Sequence, residues 1–221
     1  MLQLKSAILN YKIIKNIIFD FGGVICDIDI QKTIEKFNLF GSGKEEYNNS
    51  RESPSSAFED LVARYETGLV TSAEFRETIR IHYVSSPDDQ AIDDAWNALL
   101  IGIPEKRMKL LEILKSQYRL FLLSNSNEIH FRCYLRDFRE KYGYNDFEEI
   151  FEKVYFSYRI HIRKPDPRIF KFVLSDRKLL PAETLFIDDM LPNVEAAISV
   201  GITGYHLKKG EDFVDLFYKP H

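Results

Sequence analysis

The sequence predicts an α/β protein built on a doubly wound, parallel, Rossmann-like sheet with helices on both faces. Three observations predict it. Apolar runs of strand length recur down the chain, each ends abruptly in polar residues, and helical segments separate the later runs. Runs of that kind read as strands buried on both faces, and βα alternation favours parallel pairing through right-handed crossovers. A chain of 221 residues can bury one such core and a modest insertion.

The first run, Ile17-Ile18-Phe19, stops at Asp20, and Gly22 and Gly23 then make a tight turn. Residues 1–14 read as an N-terminal extension, packed on the sheet edge or frayed. Residues 30–103 hold no further buried-strand run; apolar residues at helical spacing predict helices over 56–66, 72–83 and 87–100. Thr71 or Ser72 is the expected N-cap of the second, with Glu74 and Glu77 early in the helix. Gly41-Ser42-Gly43 and Ser53-Pro54-Ser55-Ser56 read as breaks. Beyond them, helices are expected over 104–115, with Pro104 in the first turn, and over 127–141, 167–175 and 192–200. They alternate with the runs 120–123, 154–156, 184–187 and 203–206, and Gly201 suits the position just past a helix end. The expected organisation is a core of 15–29 and 104–221 with a helical insertion, 30–103.

The ends of the runs carry the chemistry. Parallel strands bring their carboxyl ends to one edge, where open α/β sheets bind ligands. Asp20 ends the first run and Ser124-Asn125 the second. Lys164 follows the third within Arg163-Lys164-Pro165-Asp166-Pro167, and Asp188-Asp189 ends the fourth, with Asn193 close behind. A carboxylate, a hydroxyl, an ammonium and a carboxylate pair form the set that magnesium-assisted attack on a phosphate needs.

In their order and spacing these four motifs resemble those of the haloacid dehalogenase superfamily, most of whose members are phosphohydrolases. The Asp-Phe-Gly-Gly opening is similar to the subgroup near glucose-1-phosphate phosphatase and the phosphatase domain of soluble epoxide hydrolase. The resemblance implies that Asp20 is the nucleophile, forming an aspartyl-phosphate that water hydrolyses. It implies that Ser124, Asn125 and Lys164 bind the phosphoryl group. Asp20, the Gly22 carbonyl and Asp189 would hold Mg²⁺, with Asp188 sharing the metal or bracing it and Asn193 behind. Residues 30–103 would be a C1 cap over the pocket.

One position departs from the pattern. Most phosphatases of the superfamily carry a second Asp two residues after the nucleophile, which protonates the leaving alcohol; here it is Gly22. Loss of such a group costs about 10²–10⁴-fold in rate. Asp27 or Asp29 could substitute, although both read more simply as turn or capping residues.

Composition excludes several classes. The net charge of −4 gives no basic face for nucleic acid, and no apolar run is long enough to span a bilayer. Two cysteines, Cys26 and Cys133, match no disulfide framework or metal motif, and no signal-peptide core opens the chain. The expected setting is cytoplasmic and the expected partner a small phosphorylated metabolite. Within the cap, Glu66-Thr67-Gly68 resembles an element of the same subgroup. Arg51, Arg64, Tyr65 and Trp96 read as structural or solvated before substrate-binding, and Arg163 as a surface residue. His130 and His161 lack a second ligand at metal-binding spacing, and His161 is a minor candidate for substrate contact. Two alternatives to a Mg²⁺-dependent phosphatase stand beside it: 2-haloacid dehalogenation on Asp20, which needs no metal pair, and a catalytically weak member that binds phosphometabolites or a protein.

Overall fold

The computed structural model describes residues 3–4, 13–41, 56–83 and 85–218. Arg51, Ser42-Gly43, Ser53 to Ser55 and most of the N-terminal extension lie outside them. In chain order the first elements are β1 (Gln3–Leu4), β2 (Asn16–Phe19), β3 (Asp27–Ile28), α1 (Ile30–Asn38), α2 (Ser56–Glu66), α3 (Ser72–His82) and α4 (Asp89–Asn97). Then come β4 (Leu100–Gly102), α5 (Glu105–Leu114), β5 (Arg119–Ser124), α6 (Glu128–Tyr142), β6 (Lys153–Phe156) and α7 (Ser157–Ile160). The chain closes with α8 (Pro167–Arg177), β7 (Thr184–Asp188), α9 (Leu191–Ser199), β8 (Thr203–His206) and β9 (Phe217–Tyr218).

The sheet has the expected form: five parallel strands in the order β6-β5-β2-β7-β8. Its apolar runs are continuous because both faces are covered. Along β2, Ile17 and Phe19 face the cluster that includes Met108 and Leu111 of α5 and Tyr134 and Phe138 of α6. Ile18, between them, faces Ile169, Phe170 and Val173 of α8 and Ala197 of α9. The same alternation runs through β5 and β7, as the period of two requires. The chain winds from β2 to β5 and β6 on one side, then to β7 and β8 on the other. The carboxyl end of β2 is thus the switch point of the topology.

The helices of 30–103 gather a cluster of their own around Phe75, Ile79, Ile92 and Trp96, to which Ile129 of α6 also belongs. Thr71 caps α3 as expected, in a reciprocal capping box: its hydroxyl accepts from Glu74 N–H at 3.2 Å, and Glu74 Oε2 accepts from Thr71 N–H at 2.8 Å. Three expectations change. The helix read over 87–100 stops at Asn97, and Leu100–Gly102 instead forms β4, antiparallel to β3. This ribbon sits where the chain leaves and re-enters the sheet layer. Pro104 lies just before α5 rather than in its first turn, in extended conformation. The N-terminal strand β1 pairs with β9 as a separate ribbon instead of joining the main sheet's edge.

The seam between α4 and α6 is made by aromatic stacking and hydrogen bonds. The Trp96 and His130 rings stack at 4.9 Å, and His130 Nδ1 bonds Asn97 Oδ1 at 2.9 Å. Burial pushes the His130 imidazole down to about 3, so it stays neutral inside this seam. Tyr65 is equally structural, stacked on Phe75 at 4.4 Å with its hydroxyl accepting from Ile129 N–H.

A buried arginine ties the C-terminal segment to the core. Arg107 of α5 meets Asp212 at 3.1 Å and Asp27 at 2.8 Å, and donates to the Ile25 carbonyl. Arg107→Met strands Asp212 without this partner and is expected to cost about 3 kcal/mol, read by urea unfolding. Burial acts to raise the Asp212 carboxyl, but Lys106, the Val214 N–H and Arg107 outweigh it and hold the group below the usual range. Its stabilisation is therefore complete above the unfolded value of about 3.9 and is lost as pH falls through the lower folded one. No helix among the described residues is long and apolar enough to cross a membrane.

Candidate active site

Phe19 at the end of β2 is in register with Ile187 of β7, so the residues that follow, Asp20 and Asp188, come level. Asp20 N–H donates to the Ile187 carbonyl at 2.9 Å. Lys164 enters from the loop between α7 and α8 and is 1% exposed. Its Nζ lies 2.7 Å from Asp20 Oδ1 and 2.6 Å from Asp188 Oδ2. Burial alone would drive the proton off this lysine, but the two carboxylates outweigh it and hold the ammonium above its ordinary range. Burial likewise pushes the Asp20 carboxyl up to about 7, against the pull of Lys164 and with the repulsion of Asp188. Carboxylates this close stay ionised together only beside a cation.

Asp188 is fully buried and fully occupied. Asn193 Nδ2 donates to both its oxygens at 3.0 Å, Met190 N–H donates to Oδ1 at 2.7 Å, and Lys164 takes Oδ2. Asp189 is partly exposed, its carboxyl raised by burial and then by the Asp188 charge. One oxygen from each of Asp20, Asp188 and Asp189 lies within 4.8 Å of the others. A cluster of hard carboxylate oxygens with one partly exposed member fits Mg²⁺, which takes a few protein oxygens and keeps waters. Since Asp188 is spoken for by Lys164 and Asn193, Asp189 is the member of the pair with capacity to spare.

The turn after β2 is shaped around Asp189. Gly23 has φ +76°, and a Cβ there would fall 2.3 Å from Asp189 Oδ2. Gly23→Ala must therefore displace that carboxylate and also carry a left-handed strain of about 1–2 kcal/mol. The expected result is a raised Mg²⁺ requirement in a variant that still folds, measured by metal titration of activity alongside thermal unfolding. Gly22 is under no such restriction: a Cβ there would meet only Ile28 carbons at 3.7 Å.

The other motif residues divide between ligand-facing and supporting geometry. Ser124 is buried at the end of β5, and its hydroxyl donates only a long bond, 3.4 Å, to the Asn125 carbonyl. The Asn125 side chain is engaged at both ends: Nδ2 donates to the Lys164 carbonyl, and Oδ1 accepts from Lys164 N–H, each at 2.9 Å. It clamps the lysine. Asp29 caps α1 and Asp27 pairs with Arg107, so both carboxylates have structural roles. Arg64 pairs with Asp60 at the surface, and Trp96 lies in the apolar cluster of 30–103. Arg163, read as a surface residue, has a side chain 39% exposed and pairs with Glu66 at 2.9 Å. Ser126 and Ser157 were not anticipated: Ser126 N–H donates to Ser157 Oγ at 3.0 Å, tying the end of β5 to α7, and no local pattern announces such a bond.

Comparisons with known proteins agree with this geometry. The family model described as haloacid dehalogenase-like hydrolase matches residues 14–201. D-ribitol-5-phosphate phosphatase of Bacteroides thetaiotaomicron is 29% identical over 202 residues, 90% of this chain and 95% of that protein. A sesquiterpene phosphatase of Aspergillus oryzae is 26% identical over 202 residues, 87% of this chain and 89% of that protein. The crystal structure of a haloacid dehalogenase-family enzyme of B. thetaiotaomicron, in complex with magnesium and inorganic phosphate, is 37% identical. It superposes with a TM-score of 0.81 over 93% of this chain and 100% of its own. Fold, strand-end carboxylates and a match over most of the length thus coincide, and the chain belongs to the haloacid dehalogenase-like hydrolases.

Proposed function

We propose that this hydrolase is a Mg²⁺-dependent phosphomonoesterase that cleaves a small phosphorylated metabolite through an aspartyl-phosphate on Asp20. The observation that carries the reading is the convergence of Asp20, Lys164 and the Asp188–Asp189 pair at the switch point of the sheet. An Asp20 carboxylate oxygen attacks phosphorus as the bond to the bridging oxygen breaks, and the departing oxygen takes its proton from water, since Gly22 supplies none; a second water then attacks phosphorus, breaking its bond to Asp20, releasing phosphate and restoring the carboxylate. Lys164 holds positive charge against the phosphoryl oxygens in a buried site, where a fixed cation acts without reorganisation. Ser124 Oγ–H and the Asn125 backbone N–H donate to the same oxygens. Asp20, the Gly22 carbonyl and Asp189 are the residues that would hold Mg²⁺, with Asp188 and Asn193 bracing them. When bound, the ion offsets the negative charge that would otherwise keep a phosphate dianion from a carboxylate.

Residues 30–103 serve as a cap on a core of 15–29 and 104–221, a division consistent with the separate apolar cluster and the β3–β4 ribbon. Free Cys26 and Cys133 suit a reducing, cytoplasmic setting. Phosphate release from a panel of phosphorylated metabolites, with and without Mg²⁺, tests the reading. Turnover that requires the metal supports it. Chloride release from a 2-haloacid, or a folded protein inert on the whole panel, sinks it.

A further inference from the structure

The strand at the edge of the sheet gives Asp189 a partner outside the strand-end motifs. On β8, His206 stands in register with Asp188 of β7. Side chains two apart on a strand share a face, so His206 lies on the same side as Gly204. A Cβ at Gly204 would fall 2.6 Å from Val194 Cγ1 and 2.9 Å from Ile198 Cγ1, so its absence lets α9 pack close against β8. The half-buried imidazole beside it reaches the turn that opens α9. There its Nε2 lies 3.0 Å from the Asp189 carbonyl oxygen. A carbonyl only accepts, so Nε2 carries the proton in this contact.

That bond fixes the second edge of one peptide group. The Asp189–Met190 amide gives its N–H to Asp188 Oδ1 at 2.7 Å, and its carbonyl takes the His206 N–H. The Met190 carbonyl, one residue on, already accepts from Asn193 and Val194 N–H at 3.0 and 3.3 Å. Asp20 and Asp188 are aimed by bonds to their own carboxylates, from Lys164 and, for Asp188, Asn193. The Asp189 carboxylate draws instead on its own backbone N–H, so the attitude of this peptide sets where its oxygens point. We infer that His206 is a positioning residue of the Mg²⁺ centre: by holding the Asp189 carbonyl it aims the Asp189 carboxylate at the ion and sets the site's preference for Mg²⁺ over Ca²⁺. Mg²⁺ demands a near-octahedral shell, whereas Ca²⁺ accepts longer and less regular ones, so a carboxylate free to swing costs the smaller ion more. The inference rests on the reading that Asp189 is a ligand to Mg²⁺.

Thermal unfolding of the substrate-free protein against Mg²⁺ and Ca²⁺ concentration tests it, since an ion that binds the folded state raises the midpoint by mass action. His206→Leu keeps bulk at the half-buried position and loses the donor. His206→Gln restores an N–H at similar reach, and His206→Asn carries an amide too short to reach the carbonyl. The Leu and Asn variants are expected to bind Mg²⁺ about 10–100-fold more weakly, the range seen when a group behind a metal ligand is removed. Ca²⁺ binding is expected to weaken by only about threefold, and the Gln variant to stay within about threefold of wild type for both ions. The Asn variant carries the comparison alone if the Leu variant does not fold. Unchanged Mg²⁺ affinity without the donor overturns the inference. So does equal weakening for both ions, or a Gln variant no better than Asn, either of which marks a merely structural bond. Those results leave Asp189 in place as a ligand. Asp189→Asn protein that responds to Mg²⁺ as wild type does, or a wild type that no Mg²⁺ stabilises, sinks the ligand assignment and the inference together.

Discussion

Asp20→Asn is expected to reduce phosphate release by on the order of 10⁶-fold, the scale on which removal of a covalent nucleophile acts. The amide is nearly isosteric with the carboxylate, so the turn after β2 and the Asp20 N–H bond to Ile187 remain. What goes is the oxygen proposed to attack phosphorus and the charge that faces Lys164 at 2.7 Å. Lys164 keeps Asp188 as a counter-ion at 2.6 Å, which is why the variant should fold. Steady-state phosphate release measures the loss. Fluoroberyllate, an aspartyl-phosphate mimic, supplies the complementary reading by fluorine NMR: binding to wild type with Mg²⁺ and none to the variant. Metal-dependent turnover surviving in Asp20→Asn would place the attacking group elsewhere.

Lys164→Met should lose less rate but also stability, for two separable reasons. Removing a preorganised cation from a transition-state site costs on the order of 10²–10³-fold in kcat. The same change leaves Asp20 and Asp188 facing each other in a buried site with no protein cation between them, and loss of one member of a buried ion pair costs about 3–5 kcal/mol of stability. The methionine stem can still pack against Phe186, on whose ring the ammonium lies at 5.4 Å, so the loss reports charge rather than volume. Urea unfolding with and without Mg²⁺ separates the effects, because a dication bound by the freed carboxylates restores part of the stability by mass action but not the rate. Full activity in Lys164→Met would exclude the lysine from the chemistry.

Much of the frame was legible in the chain because it follows from local rules. Ile17 to Phe19 and Leu120 to Leu123 are apolar without interruption since both sheet faces are covered, and such runs stand out without partners being known. The start of α3 is equally local: an N-cap at Thr71 or Ser72 was legible, and the structure selects Thr71 and closes it with Glu74. The β3–β4 ribbon was not: strands of two and three residues, half-buried, show no periodicity, and their pairing joins positions about seventy residues apart.

The candidate site divides along the same line. Which residue types stand at the strand ends is written in the sequence, as are the glycine turn after Asp20 and the absence of a carboxylate at Gly22. Only the tertiary structure decided how those groups spend their valences. It binds Asp188 to Lys164 and Asn193 and leaves Asp189 less committed. It turns the Asn125 amide into a clamp on Lys164, draws Asp27 to Arg107, and pairs Arg163 with Glu66. The reason is physical: strand and cap signals arise from neighbours a few residues apart, whereas a buried charge takes whichever partner the folded chain brings within about 3 Å.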